Sequence, residues 1–246
     1  WREKAPRITR GVKMLPQLMR ENGYKTYAID NLVMMRHHFY WGYDEYLYSS
    51  IVKGRDKRIE VTADDINVNL LPLLKRIKNE DFFLFVHYWD PHAPYVPPKE
   101  FQKFMTTKKT KEEMLKEMVF QNKNLSWEDF VRSDLKKENL DIRARYDGEI
   151  AYVDDRLNQV FKLMQRLGLD KNTIVIITSD HGESFGIHNT MGHAGLHDTI
   201  IRVPLIFHGP GIPAGKIVDA FARHVDIVPT ILDFVGIDFK ESYPLS

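Results

Sequence analysis

Three short apolar runs constrain the fold of this sequence more than any other feature. The runs are DFFLFVHYWD (81–90), NTIVIITSD (172–180) and RVPLIFH (202–208). None of them alternates apolar with polar residues, as a strand with one face in water would. Continuous apolar strands are typical of sheets that are covered on both faces, as parallel sheets are. The sequence therefore predicts buried strands in a mostly parallel sheet.

Segments with helical periodicity alternate with these strands. The sequence predicts a helix over 12–22 that Gly23 ends, followed by a strand, YKTYAID, over 24–30. Thr62 is the predicted cap of a second helix, which Pro72 should kink or divide. The predicted buried face of that helix consists of Ile66, Leu70, Leu73, Leu74 and Ile77.

Two further helices follow the same pattern. The longer one covers 145–167 and ends at Gly168, and the last one begins with Asp226 as its cap and Pro229 in its first turn. The apolar face predicted for the longer helix is Ile150, Val153, Leu157, Val160, Phe161, Met164 and Leu167. Strands that alternate with helices predict an α/β fold, with a mostly parallel central sheet flanked by helices on both faces in a three-layer sandwich.

The composition excludes several classes of partner and site. With 35 basic and 34 acidic residues, the chain has no charge excess that would favour nucleic acid or a membrane surface. The absence of cysteine excludes disulfides, thiolate metal ligands and a cysteine nucleophile within the chain. No apolar run approaches the roughly 20 residues of a membrane span. A cysteine-free chain is compatible both with export and with a cytoplasmic location, and we favour the cytoplasmic location. The sequence leaves the oligomeric state open.

Acidic residues and histidines follow two of the predicted strands. Asp90 and His92 end one strand, Asp180 and His181 end another, and His193 follows in the segment GHAGLHD. In open α/β sheets, ligands bind beyond the carboxyl ends of the strands. Aspartate and neutral histidine bind zinc, manganese or iron, and carboxylates also suit calcium or magnesium. The pattern predicts a metal or catalytic site at this edge.

Other interpretations of these residues stay open. Ser179, Asp180 and His181 have the residue types of a hydrolase triad, but neighbours on a strand point to opposite faces and cannot converge. Asp180 and His181 can also be a hydrogen-bonded pair that caps the strand end. His92, in a proline-rich turn, and His193, in its loop, can each be ordinary turn residues.

In their order along the chain, these segments resemble the sulfatase family of the alkaline phosphatase superfamily. The matching segments are LPQLMRENGYKTYAID, FFLFVHYWDPHAPYVPP, YDGEIAYVDDRLNQVFKLMQRLG, NTIVIITSDHGESFG, GHAGLHDTIIRVPLIFHGPGI and HVDIVPTILDFVGI. The ordered set is far more specific than any one segment. The resemblance implies an alkaline-phosphatase-like α/β fold and metal-assisted hydrolysis of a sulfuric ester. We expect one sulfatase-like domain over 1–246, truncated at both ends.

The resemblance implies roles for four residues. Asp180 matches a metal ligand, and His181 stands where many members have a metal-binding asparagine or histidine. The expected cofactor is one divalent metal, calcium in the first place, with manganese, magnesium or zinc as alternatives. His92 matches the histidine that contacts the sulfate group, and His193 matches a position usually held by a lysine near the leaving-group oxygen. His92 and His193 are therefore the expected catalytic and substrate-binding residues.

Two departures from the family pattern limit what this chain is expected to do. The family's amino-terminal strand, with its adjacent aspartates and its C/S-x-P-x-R nucleophile motif, is not in the sequence. The usual G-K-W-H segment is replaced by IDNLVMM (29–35), so that Asp30 and Asn31 become the expected substrate-binding residues at that strand end. We therefore expect this polypeptide to carry half of a catalytic centre and to have weak or absent sulfatase activity by itself.

The substrate and two alternative functions follow from the same residues. We expect a small-molecule, carbohydrate or aryl sulfate ester, and the lysine-rich segment 99–140 is expected to be a helical insertion, either a surface excursion or a lid over the pocket. A phosphodiesterase, phosphonate monoester hydrolase or phosphotransferase of the same superfamily is the nearest alternative, because Asp180 is followed by a histidine instead of an asparagine. A non-catalytic protein that keeps the fold as a binding surface is the other.

Overall fold

The structure is a computed structural model that describes residues 13–31, 40–48, 61–93, 95–105, 108, 139–187 and 191–238. The chain divides into two compact units. The first unit joins Trp1–Val61, Val68–His87 and Gly215–Ser246, and the second joins Thr62–Asn67 and Tyr88–Ala214. The assignment of a single domain to 1–246 stays a prediction.

The first unit contains a three-stranded parallel sheet in the order β2–β1–β3. The strands are β1 (Lys25–Asp30), β2 (Glu45–Tyr48) and β3 (Phe82–Val86). Ala28, at the centre of β1, lies beside Tyr46 on one side and Phe85 on the other. The predicted strands β1 and β3 and their parallel pairing are confirmed, which establishes the α/β class. The sequence did not predict β2, because four residues are too few for a periodic signal.

Two short helices of the first unit share a hydrophobic cluster. These are α1 (Leu15–Glu21) and α5 (His224–Phe234), which contribute Leu18, Met19 and Leu232. The described part of the first predicted helix is confirmed, and Gly23 follows it with a φ of 91°. The predicted start of the last helix is wrong. Asp226 is its third residue, and its carboxylate accepts the backbone N–H of Arg223 at 2.8 Å, as the third position of a capping box does.

The helix α2 (Ala63–Ile77) begins after its predicted cap. The backbone N–H and the hydroxyl of Thr62 both donate to Asp65, each at 2.8 Å. All members of its predicted buried face are buried: Ile66, Leu70, Leu73, Leu74 and Ile77. Pro72 was predicted to kink or divide this helix, and the division is wrong, because the helix continues through Pro72. Pro72 lies on the exposed face with Val68, where water can serve the carbonyl that loses its helical donor.

The second unit contains α3 (Asn139–Leu167), a 3₁₀ helix (Lys99–Phe104) and two pairs of strands. The paired strands are β4 (Val175–Thr178) with β7 (Leu205–His208), and β5 (Ser184–Phe185) with β6 (Met191–Gly192). A four-residue helix, α4 (Asp198–Ile201), precedes β7. Both predicted strands are present, but β7 runs antiparallel to β4 instead of parallel. Parallel pairing needs a crossover that returns the chain to the start of β4, and in the described part of 179–204 the longest helix is α4.

The predicted apolar face of α3 is only partly correct. Met164 is buried, but Ile150 is 46% exposed, whereas Glu149 and Tyr152 are buried. A Cβ at Gly148 would lie 2.8 Å from the Phe101 carbonyl oxygen, so the 3₁₀ helix packs directly on the helix backbone there. This contact turns the side of α3 that contains Gly148 and Glu149 towards the protein interior. The predicted end of α3 at Gly168 is confirmed, with a φ of 74°.

The predicted insertion over 99–140 lies mostly outside the described residues. Its beginning forms the 3₁₀ helix, and its last two residues begin α3. No helix within the described residues is both long and apolar enough to cross a membrane.

Replacing Leu70 by alanine should destabilise the protein, because the side chain is only 2% exposed and its removal leaves a cavity. We expect a loss of about 2–5 kcal/mol in the free energy of unfolding. The matched control is Val68→Ala on the opposite face of α2, which is 69% exposed and should change the free energy by less than about 0.5 kcal/mol. Urea unfolding followed by circular dichroism measures both changes, and equal effects would contradict the orientation of α2.

Candidate active site

Three histidines of the second unit form a cluster. The ring centroid of His193 is 4.1 Å from that of His181, and the two rings are stacked at 21°. The ring centroid of His92 lies 6.2 Å from that of His193, and these two rings are tilted at 54°. The loop after β4, the β6 end and the loop after β3 thus deliver their histidines to one place.

Asp180 and His181 follow directly after β4. One Asp180 oxygen, Oδ1, accepts the backbone N–H of His181 at 3.0 Å, while Oδ2 lies 3.6 Å from His181 Nε2. His181 Nδ1 lies 2.9 Å from the Gly182 carbonyl oxygen. A carbonyl only accepts hydrogen bonds, so the neutral ring carries its proton on Nδ1 and keeps a lone pair on Nε2. The side chain of Asp180 is 79% exposed, which leaves its carboxylate accessible.

Glycine is required at position 182 by a close backbone approach. The Gly182 N–H donates to the Ile200 carbonyl at 2.6 Å. A Cβ at this position would lie 2.2 Å from the Thr199 carbonyl oxygen, which no side chain can tolerate. The turn that carries His181 is therefore packed against the backbone of α4.

His92 occupies a tight turn that contains a cis Asp90–Pro91 peptide bond. Its backbone N–H donates to the Trp89 carbonyl at 2.9 Å, and the two rings lie 4.0 Å apart. Nδ1 lies 2.7 Å from the Ala93 carbonyl oxygen, so the neutral ring again carries its proton on Nδ1. Burial lowers the pKa of His92 below its ordinary value, and the charges of the other two histidines act in the same direction.

Glu183 is a member of this cluster that the sequence did not single out. Its Oε2 accepts the hydroxyl of Tyr95 at 2.9 Å and lies 3.5 Å from His193 Nδ1. Burial raises the pKa of Tyr95, which keeps the phenol protonated as a donor. The only signal in the sequence is the position of Glu183 within the Asp180–Glu183 segment. The Glu183 carboxylate is thus a hydrogen-bonding partner for Nδ1 of His193.

Asp30 and Asn31 belong to the first unit, at the end of β1. The buried Asp30 carboxylate accepts hydrogen bonds from the Asn31 backbone N–H at 2.7 Å, the Tyr46 hydroxyl at 2.6 Å and His87 Nδ1 at 2.8 Å. Burial raises the pKa of Tyr46, and its hydrogen bond to Asp30 acts in the same direction. The side-chain oxygen Oδ1 of Asn31 is buried and has no hydrogen-bond partner among the described residues. A role for Asp30 and Asn31 in substrate binding stays a prediction.

The predicted metal ligands offer two donors of different kinds. Asp180 provides carboxylate oxygens, and His181 provides the Nε2 lone pair that its bond to the Gly182 carbonyl preserves. An oxygen and a nitrogen donor together suit manganese or zinc, whereas calcium prefers oxygen alone. No group of three or more carboxylates and histidines in the described ranges could hold a metal. The two residues therefore fit part of a metal site, and its remaining ligands would have to come from outside these ranges.

Comparisons of this chain with known proteins identify its family. The multifunctional alkaline phosphatase superfamily protein PehA of Trinickia caryophylli is 28% identical over 68% of this chain and 36% of its own length. An arylsulfatase of Clostridium perfringens is 27% identical over 82% of this chain and 41% of its own length. The chain thus spans less than half the length of either relative.

A solved structure and a family model agree with these matches. A protein crystallised with its substrate D-glucosamine-2-N,6-O-disulfate superposes with a TM-score of 0.68 at 21% identity, over 93% of this chain and 62% of that protein. This similarity shows the same alkaline-phosphatase-like fold. The model of the family described as Sulfatase matches residues 2–237. The chain therefore belongs to the sulfatase family.

Proposed function

We propose that the protein to which this chain contributes hydrolyses a sulfuric ester, with His92, His193 and His181 lining the reaction centre. The observation that carries the proposal is the closeness of the His193 ring to the rings of His181 and His92, with Asp180 next to His181. The cluster offers Asp180 and His181 for a cation and His92 for an oxyanion. Membership of the sulfatase family supports this reaction class.

His193 is the proposed proton donor to the departing oxygen of the ester. Its ring is half exposed and lies near both His181, a proposed metal ligand, and His92, the proposed ligand of the anion. Glu183 lies 3.5 Å from Nδ1, which leaves Nε2 to donate the transferable proton to the ester oxygen. A nucleophile is not among the residues assigned here, so it has to come from another part of the protein.

His92 is the proposed ligand of the sulfate oxygens. With its Nδ1 proton directed to Ala93, the neutral ring presents a lone pair on Nε2, which would repel an anionic oxygen. His92 therefore has to take up a proton when the anion binds. The negative charge of the ester provides the electrostatic stabilisation that burial denies to the free imidazolium.

Asp180 and His181 are the proposed protein ligands of one divalent metal, either manganese, zinc, magnesium or calcium. Such an ion, when bound, neutralises charge on the transferred group as a Lewis acid. The Gly182 carbonyl keeps the His181 ring in the tautomer that binds a metal. Asp30 and Asn31 remain proposed contacts for the rest of the substrate, which we propose to be a carbohydrate or aryl sulfate.

A phosphate or phosphonate ester is the second candidate substrate. The observation that favours it is the imidazole ligand at His181, because a nitrogen donor selects for ions such as zinc and manganese over calcium. A non-catalytic binding protein is the third possibility, and the assays below distinguish all three.

The complete protein should hydrolyse a fluorogenic aryl sulfate faster than the matched phosphate monoester and phosphonate monoester. Asp180→Asn should weaken Mn²⁺ binding in calorimetry at least about tenfold, since a ligand charge is lost, and reduce turnover. The matched control is His208→Gln on β7, which lies outside the cluster and should change neither quantity. If the protein hydrolyses the phosphate or phosphonate ester faster than the sulfate ester, its substrate is a phosphate or phosphonate ester and not a sulfate ester. Metal binding without turnover of any ester would favour a binding protein.

His193→Ala should affect esters with poor leaving groups more than esters with good ones, because a proton donor matters most for a basic departing oxygen. We expect kcat to fall about 100-fold or more for phenyl sulfate and much less for para-nitrophenyl sulfate. Steady-state kinetics with both substrates measures the difference. An equal loss for the two esters would remove His193 from the role of general acid.

Inorganic sulfate should inhibit more strongly as the pH falls, because His92 takes up a proton on anion binding. The increase approaches tenfold per pH unit for one proton. It begins at the pKa of His92 in the complex and levels off below the pKa of His92 in the free protein, which burial lowers from the ordinary value. In His92→Gln this part of the pH dependence should disappear. Identical inhibition profiles for the variant and the wild type would show that His92 does not hold the anion.

A further inference from the structure

A tryptophan ring lies against His92 in the loop after β3. The ring centroids of Trp89 and His92 are 4.0 Å apart, and the two ring planes are tilted by 32°. The His92 backbone N–H donates to the Trp89 carbonyl at 2.9 Å, which closes the turn that brings the two side chains together. None of the roles assigned above uses Trp89.

The contact joins the faces of the two rings and leaves the nitrogen atoms of the imidazole to other partners. Nδ1 of His92 is bound to the Ala93 carbonyl at 2.7 Å, and the proposed function gives Nε2 to the anion. With a centroid distance of 4.0 Å and a tilt of 32°, the indole meets the imidazole through its π-face. The face of an indole attracts a cation more strongly than the face of any other side chain. Trp89 is therefore placed to interact with the positive charge that His92 acquires.

The charges around His92 explain why an uncharged aromatic group suits this position. Burial lowers the pKa of His92, and two other histidines of the cluster, His193 and His181, act in the same direction. The Ala93 carbonyl and the Glu183 carboxylate act in the opposite direction. A carboxylate in place of the indole would also favour the imidazolium, but it would repel the sulfate that His92 is proposed to bind. An indole face favours the imidazolium and adds no net charge against the anion.

We propose that Trp89 is a positioning residue for His92, because its indole face stabilises the imidazolium that forms when an anion binds. The identity of that anion rests on the proposed function. The contact between the imidazolium and the indole can be tested without turnover of any ester. The rival explanation is packing alone, in which Trp89 fills the space beside His92 equally well in either protonation state.

Fluorescence should report the charge of His92 directly. An imidazolium in contact with an indole quenches its emission, so the emission of Trp89 in the complete protein should fall as the pH falls. The difference between the wild type and Trp89→Phe isolates this emission from that of the other tryptophans. Sulfate added at neutral pH should also quench it, because His92 takes up a proton on anion binding. In His92→Gln both effects should be lost.

Sulfate binding separates charge stabilisation from packing. In Trp89→Leu the side chain stays apolar but loses its π-face, so calorimetry at neutral pH should show sulfate binding about fivefold to tenfold weaker than in the wild type. This loss should shrink as the pH falls, because His92 is then already protonated in the free protein. Trp89→Phe should show the same trend with a smaller loss, since a phenyl ring attracts a cation less than an indole does. The matched control is Phe161→Leu, which removes the ring beside His208, outside the cluster, and should leave sulfate binding unchanged.

Two results would overturn the proposal. One is sulfate binding by Trp89→Leu that is unchanged or is weakened equally at every pH, and the other is a Trp89 emission that does not respond to acid. If Trp89→Leu does not fold, Trp89→Phe decides by the same trend with pH. If the wild type binds no sulfate, the proposed function loses its anion site, while quenching by acid still decides whether the imidazolium forms against the indole.

Discussion

The close backbone contact at Gly182 holds the turn that carries His181, the residue on which the ring of His193 stacks. No Cβ fits against the Thr199 carbonyl, and the Gly182 N–H is bound to Ile200. This contact ties the turn after β4 to the chain just before β7, while the two strands are themselves paired. Because the turn is held on both sides, His181 has a defined place from which its ring stacks on His193. The absence of a side chain at position 182 thus supports the position of His181 within the cluster.

Much of the fold could be predicted because burial leaves a periodic record in the sequence. Every residue predicted for the buried face of α2 is buried, since these residues follow the helical period. The errors arise where a tertiary contact overrides the local signal. Packing at Gly148 turns Glu149 inward in place of the apolar Ile150, and solvent on one face of α2 lets the helix continue through Pro72. The direction of β7 depends on the path of its connection, which periodicity does not encode.

The candidate site shows the same division between local and distant information. His92, Asp180 and His181 could be selected because they directly follow predicted strands. The contacts of Glu183 could not, because its hydrogen-bond partner Tyr95 lies 88 positions away. The pairing of Glu149 with Val96, 53 positions apart, is likewise invisible without coordinates. A short sequence pattern therefore identifies candidate site residues but misses residues such as Glu183 and Glu149, whose contacts are distant in the sequence.

The network around Asp30 limits how this carboxylate can meet a ligand. A carboxylate has about four positions at which it accepts hydrogen bonds, and Asn31, Tyr46 and His87 fill three of them. An incoming hydroxyl would therefore find little vacant capacity on the aspartate itself. The Asp30 carboxylate also orients the imidazole ring of His87 through their hydrogen bond. Beyond its proposed contact with the substrate, Asp30 therefore orients the ring of His87, whose side chain is 27% exposed.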